Sequence, residues 1–205
     1  PDTDPAATLL LAHGAGAPMD SAFMNNLAEA LAAEGIAVAR FEFAYMAGRR
    51  TGGPKRPPPR ADKLIGEFQM ALQTLMGEVD GPLLVGGKSM GGRMASILAS
   101  RREGIDGVVC FGYPFHPPGK PDRWRTAHFQ DLHCPMLVLQ GTRDPFGKPA
   151  EMDGHEKELE TISLRWLEGG NHDFQPLKSQ ALTQSELIAL AARETRIFAD
   201  ERLSA

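Results

Sequence analysis

Gly86 to Gly92 read GGKSMGG, directly after the apolar run PLLV from Pro82 to Val85. The heptapeptide admits two incompatible readings. Gly-Lys-Ser is the end of a phosphate-binding loop, whereas Gly87-Lys88-Ser89-Met90-Gly91 fits the G-x-S-x-G turn that exposes a nucleophilic serine between a strand and a helix. A phosphate loop needs G-x-x-x-x-G-K-[ST], because the intervening residues give the backbone enough length to curl round an anion. Counting back from Gly87 puts the required first glycine at position 82, which is Pro82, and the would-be loop LLVG is strand sequence. Gly81 is one residue out of register. The serine turn fits without adjustment. PLLVG supplies the strand, MASILAS supplies the helix, and Gly87 and Gly91 remove side chains where neighbouring backbone must pass close. Gly92 adds room where the start of the helix crosses the sheet.

Working outward, six short apolar runs read as strands: ATLLLAH (7–13), IAVARFEF (36–43), PLLVGG (82–87), GVVCFG (107–112), PMLVLQG (135–141) and TISLRWL (161–167). They are mostly continuous rather than alternating, as strands covered on both faces should be. Between them lie segments of helical spacing. Ser21 to Glu34 places Phe23, Leu27, Ala30 and Leu31 on one face, and Gly35 can end it. Lys63 to Met76 repeats Leu64, Phe68, Ala71, Leu72 and Leu75. A third helix starts at or just after Ser89, a short fourth is expected over 149–158, and a last one over Thr183 to Ala199. Strand and helix alternate almost from end to end, which predicts a layered α/β fold with a mainly parallel sheet and right-handed crossovers. No internal repeat is visible. Two stretches break the rhythm, the basic and proline-rich GRRTGGPKRPPPR (48–60) and GYPFHPPGKPDRW (112–124). Both leave the carboxyl ends of strands, where the loops of a parallel sheet surround its ligand crevice.

A serine hydroxyl is a poor nucleophile at neutral pH. It needs a general base, and the base needs a carboxylate to fix its tautomer and stabilise the imidazolium. In a strand-turn-helix setting of this kind the chain order is serine, acid, histidine. PMLVLQG leads into TRDP, which puts Asp144 just past its strand, and TISLRWL leads into EGGNHDF, which puts His172 just past its own. Taken singly, Asp144 reads as a turn former before Pro145, and His172 as a loop histidine. In this order and at these strand ends, Ser89, His172 and Asp144 read together as nucleophile, base and acid. Asp173 and Asp153 are rival acids. Asp173 adjoins the histidine, where the angle to the imidazole is poor, so a bracing role in the loop is expected of it.

Acyl transfer also needs donors for a developing oxyanion. The amide after the nucleophile, Met90, is one. The loop HGAG after the first strand offers the other, assigned to Ala15 with Gly16 in reserve, and His13 is expected to brace that turn. Candidate substrate contacts on the rim are Tyr45, Arg49, Tyr113 and Phe146. Lys88 can lie in the cleft and attract an anionic group, or face solvent or pair with a carboxylate as lysines ordinarily do. The arginines of 48–60 are likewise either solvated or available to bind a carboxylate or phosphate. His116 can rim the pocket, and His128, His133 and His155 have no visible partner. No metal-ligand or cofactor spacing occurs.

The whole composition limits the alternatives. A chain of 205 residues can bury one substantial core, so one domain over 1–205 is expected. With 42% hydrophobic and 23% charged residues and a formal charge of -4, nothing points to nucleic acid or to a membrane surface. The cysteines, Cys110 and Cys134, lie in or beside apolar runs, which speaks against a disulfide framework and for a reducing, cytoplasmic setting. The N-terminal stretch has no basic leader and too short an apolar run for a signal peptide or a membrane span. Since it begins at Pro1 rather than Met, a few native residues are expected to precede it.

HGAG, GGKSMGG, GTRDP and GGNHDF together resemble the motifs of the α/β-hydrolase superfamily, and the likeness runs from about Leu9 to the last helix. The set looks most like the small cap-less branch that includes dienelactone-hydrolase-like proteins and the bacterial relatives of the testis-expressed and NSL-complex hydrolase-like proteins. GYPFHPPGKP is similar to a segment of that last group. The resemblance implies a three-layer α/β-hydrolase fold with no separate lid domain. It also implies an eight-stranded sheet, although the readable strands are fewer. Dienelactone hydrolase proper carries a cysteine nucleophile, and Ser89 counts against that activity. The expectation is therefore a cofactor-free serine hydrolase acting on a small-molecule ester or thioester through an acyl-enzyme, as a monomer or homodimer. The alternative is an interaction module that has kept the fold with little or no turnover.

Overall fold

The computed structural model describes residues 4–203. Six parallel strands form one sheet: β1 (Ala7–Ala12), β2 (Ile36–Phe41), β3 (Leu83–Lys88), β4 (Gly107–Phe111), β5 (Met136–Gly141) and β6 (Ser163–Leu167), in the spatial order β2-β1-β3-β4-β5-β6. Every residue of β1, β3, β4 and β5 is buried, whereas the edge strands β2 and β6 are largely half-buried. This is the pattern that continuous apolar strands produce when helices cover both faces. On one face α1 (Ala22–Ala33) and α6 (Gln184–Leu203) pack over Leu9, Leu11, Val109 and Leu139. On the other, α3 (Ala61–Met76) and α4 (Met90–Ala99) enclose Leu10, Val85, Val108 and Val138. These are the three layers expected, and no separate lid domain stands over the sheet among the described residues.

From β1 the chain first goes outward to β2 and then returns to place β3 on the other side of β1. The reversal leaves the loops after β1 and β3 pointing apart, which opens a crevice at their carboxyl ends. HGAG and Ser89 stand at that crevice because of this topology.

Several boundaries differ from the sequence reading. Strand β2 ends at Phe41, and Phe43 begins a short helix, α2 (Ala44–Arg50), so the first residues of the expected loop 48–60 are helical. Seven residues carry too little periodicity to be read as a helix. Ion pairs hold this one in place: the Arg50 guanidinium lies between Asp20 and Glu42, and Glu67 accepts the Ala44 amide at 2.8 Å. The short helix expected over 149–158 is instead a 3-10 turn, Pro149–Glu151, and a single helical turn, α5 (Glu156–Leu159). Gly154, at φ 84°, separates the two. The final helix runs past Ala199 to Leu203. Neither cysteine is in a disulfide: Cys110 is buried with its thiol directed at the Gly92 carbonyl, and Cys134 is half-buried. No described helix is long and apolar enough to cross a membrane.

Candidate active site

Ser89 joins β3 to α4 with φ 51° and ψ -113°, a left-handed backbone that non-glycine residues rarely adopt. The turn is tight enough to explain both glycines. A Cβ on Gly87 would come within 2.6 Å of the Ala12 carbonyl oxygen and of the Gly91 backbone, and one on Gly91 within 2.6 Å of the Ala12 and His13 oxygens. The strained turn lifts the serine hydroxyl clear of the sheet, at the point where α4 begins.

Two later strand ends bring polar groups to that hydroxyl. The His172 Nε2 is 2.8 Å from Ser89 Oγ, and its Nδ1 is 2.7 Å from Asp144 Oδ2. Asp144 is fully buried, so its carboxylate oxygens depend on protein donors rather than on bulk water. Oδ1 accepts the Phe146 amide at 2.8 Å, and Oδ2 accepts Gln140 Nε2 at 3.0 Å as well as the imidazole. An acceptor-only carboxylate at Nδ1 fixes the histidine proton there and leaves the Nε2 lone pair toward the serine.

Gln140 is a part of the site that sequence reasoning missed. It is the last residue but one of β5, is fully buried, and its own orientation is fixed because its Oε1 accepts the Tyr113 amide at 2.7 Å. The available signal was a lone amide closing the apolar run PMLVLQG four residues before Asp144. Asn171 was missed too. Its side-chain oxygen accepts the amides of Asp173 and Gln175, each at 2.9 Å, and so shapes the loop that carries His172.

His13 is fully buried, and both of its ring nitrogens are engaged by backbone groups. Its Nδ1 donates to the Gly14 carbonyl at 2.7 Å, its Nε2 accepts the Phe43 amide at 3.1 Å, and burial lowers its pKa, so it stays neutral and braces the turn. Ala15 and Ser89 line the same cleft, and Met90 is the first residue of α4, where the amide has no carbonyl a turn earlier to bond. Asp173 is mostly exposed and does not bond the imidazole; its carboxylate is 3.4 Å from the ammonium of Lys88. Lys88 is buried, with its charge 5.5 Å from the centre of the Phe23 ring, and burial lowers its pKa. The lysine is thus paired with a carboxylate and also lines the cleft beside Ser89.

The cleft has two lobes, of about 330 and 310 Å³, which share Ser89, Ala15 and Phe146. His172, Lys88 and Phe23 line the first, and Met90, Leu64 and Arg93 the second. Phe146 also packs on the imidazole, with ring centres 4.3 Å apart. Three of the expected substrate contacts are not brought to either lobe. Tyr45 donates its hydroxyl to the Ala15 carbonyl at 2.9 Å, and its phenol, pushed up to about 12 by burial, remains a donor. Arg49 donates to the Arg56 carbonyl at 2.7 Å and lies over the Tyr45 ring. Tyr113 is fully buried and donates its hydroxyl to the Arg125 carbonyl at 2.8 Å. His116 does not line either lobe and contacts Glu151 at 3.2 Å, while His128 meets Ser96 Oγ at 2.8 Å.

The family model described as an alpha/beta hydrolase domain matches residues 5–200. The chain belongs to the α/β-hydrolase superfamily. Solved structures agree on the fold. An α/β hydrolase of unknown function from Agrobacterium tumefaciens superposes with a TM-score of 0.72 at 18% identity, covering 97% of this chain and 88% of the other. The esterase domain of a Rhodothermus marinus protein gives 0.67 at 16% identity, with 99% and 90% covered. Dienelactone hydrolase from Anabaena variabilis gives 0.65 at 19% identity, with 97% and 88% covered. At these identities the likeness is one of fold.

Proposed function

We propose that this α/β-hydrolase is a serine hydrolase that cleaves a small ester or thioester through an acyl-enzyme. The observation that carries this reading is the continuous relay from Ser89 Oγ through His172 to buried Asp144, with contacts of 2.8 and 2.7 Å. The strained turn under the serine adds to it, since a left-handed non-glycine residue costs about 1–3 kcal/mol and persists only where the surroundings impose it.

In this mechanism His172 Nε2 takes the hydroxyl proton while Ser89 Oγ forms a bond to the substrate carbonyl carbon. The carbonyl electron pair moves onto oxygen, where the amides of Ala15 and Met90 stabilise it. The imidazolium, held by Asp144, then gives its proton to the departing alcohol or thiol as the bond to the leaving group breaks. Water repeats the sequence on the acyl-enzyme, with His172 as base, and releases the acid and free Ser89. The open, two-lobed cleft suits small acyl and leaving groups better than long lipid chains.

Hydrolysis of p-nitrophenyl acetate and a short thioester by wild type and Ser89→Ala tests the reading. Wild type is expected to turn over at least one of them, with the variant reduced by about three orders of magnitude or more. Turnover that is equal in the two proteins, or absent from both, counts against it and favours a fold kept for interaction.

A further inference from the structure

The second lobe of the cleft holds two charges for which the reaction above has no use. Arg93 follows Ser89 by one turn along α4, and because helical side chains tilt back toward the N-terminus it lines the second lobe. Arg125 approaches the same lobe from the loop after β4. Four arginines elsewhere in the fold have carboxylate partners, Arg50 with Asp20 and Glu42, Arg101 with Asp62, Arg165 with Glu194, and Arg196 with Asp200, and Arg40, Arg49, Arg102 and Arg143 donate to backbone carbonyls. Among the described residues, neither Arg93 nor Arg125 makes an ion pair or a side-chain hydrogen bond, and the buried Arg93 Nε has no acceptor. Two guanidiniums facing one apolar lobe without a counter-charge repel each other, and burial strengthens that repulsion. Such a pair is stabilised when an anion lies between them, and the planar forks match a carboxylate.

The lobes are also chemically distinct. His172, which returns the proton to the leaving group, lines the first lobe and not the second. Met90, whose amide is the proposed oxyanion donor, lines the second. A leaving group within reach of the imidazole therefore occupies the first lobe, and the acyl chain extends into the second, along Leu64 and Met94 toward the arginines.

We propose that Arg93 and Arg125 form a carboxylate-binding subsite for the acyl end of the substrate, so that the preferred substrates are half-esters or half-thioesters of short dicarboxylic acids. The inference deepens the serine-hydrolase reading and rests on it for the orientation of the substrate. The electrostatic surroundings agree with it. The Arg125 guanidinium is held below its usual range first by burial and then by the charge of Arg93. Beside them His128 is held down to about 4 by burial and by Arg93 and Arg101, so it adds no charge of its own near neutral pH.

The test compares p-nitrophenyl hydrogen adipate with p-nitrophenyl hexanoate, which has the same chain without the terminal carboxylate. Wild type is expected to favour the adipate in kcat/KM by about tenfold or more, in the range of one charge-assisted hydrogen bond. That ratio is expected to fall about tenfold in Arg93→Met and in Arg125→Met, less in Arg93→Lys, and also as salt is raised. Because the readout is a ratio, a general loss of activity or of folded protein cancels. A wild-type ratio of one or less, or a ratio that neither methionine variant changes, overturns the subsite. Titration of monoethyl adipate into Ser89→Ala by calorimetry separates this result from failure of the reaction itself. Binding that Arg93→Met abolishes sustains the subsite even if no ester is turned over. No binding overturns the subsite while leaving turnover of the hexanoate as evidence for the serine mechanism.

Discussion

Replacing Asp144 by asparagine changes almost no volume, but it disturbs the network in a way the hydrogen bonds specify. Three donors converge on the carboxylate: His172 Nδ1 at 2.7 Å, Gln140 Nε2 at 3.0 Å and the Phe146 amide at 2.8 Å. Asparagine offers one oxygen and one NH2. The backbone amide cannot change its role, and Gln140 cannot turn over because its Oε1 already accepts the Tyr113 amide. Only the imidazole can adapt, so the asparagine oxygen stays with Phe146 and its NH2 faces His172. The histidine proton then moves to Nε2, where it meets Ser89 as a donor and can no longer act as base. A wrong tautomer together with the lost charge is expected to reduce kcat by about 10⁴-fold, or ~5 kcal/mol. The NH2 also confronts the Gln140 donor, which should destabilise the fold by about 1–3 kcal/mol. Steady-state hydrolysis of p-nitrophenyl acetate and urea melts measure the two effects. Asp173→Asn is the control, since its mostly exposed carboxylate contacts only Lys88, and a change of less than about fivefold is expected. A fully folded Asp144→Asn enzyme within tenfold of wild type, or an Asp173→Asn loss as large as that of Asp144→Asn, would refute this assignment of the acid.

Other consequences can be measured on the same protein. Gln140→Leu removes one donor from Asp144 and leaves the Tyr113 amide without its acceptor, so kcat should fall by about 10-fold or more, with a lower melting temperature. Gly91→Ala forces a Cβ to within 2.6 Å of two carbonyl oxygens and should cost about 1–3 kcal/mol, whereas Gly66→Ala, with open space around it in α3, should add about 0.5–1 kcal/mol. Denaturant midpoints decide both. Stability should also fall on acidification for a reason that can be isolated. Burial and the nearby arginines hold His128 down to about 4 in the folded protein, against an ordinary imidazole value of 6.5, so the unfolded chain takes up its proton first, and the stability present above pH 6.5 is lost as the pH falls toward 4. In His128→Gln this part of the pH dependence should disappear, as read from urea melts across that window.

The glycine-flanked serine turn was legible in the sequence because its requirements are local. Two glycines, a strand before them and a helix after them are all written within one short stretch, and the built backbone shows what each glycine avoids. Asp144 and His172 were legible for a related reason: each follows directly on an apolar strand, and the crossover rules of a parallel sheet bring those ends together. Depth was not legible. Tyr45 and Tyr113 follow strands just as Phe146 does, yet Tyr113 bonds the Arg125 carbonyl and Tyr45 the Ala15 carbonyl, while Phe146 alone faces the lobes. Whether an aromatic at a strand end points into the crevice depends on the next few φ and ψ angles, and its residue type does not encode them. The basic stretch 48–60 misled in the same way. Its Arg50 is taken up by Asp20 and Glu42, each distant from 48–60 in purpose and one of them distant in sequence, whereas the unpaired charges at the cleft are Arg93 and Arg125, which no local pattern connects.

In the proposed mechanism Ser89 is a nucleophile activated by His172. Intact-protein and peptide mass spectrometry after exposure to a fluorophosphonate tests it most directly. One adduct, located on Ser89, formed quickly by wild type and at least a thousandfold more slowly by His172→Ala, is the predicted result. A wild-type protein that stays unlabelled, or that is labelled equally fast when His172 is absent, would contradict the claim.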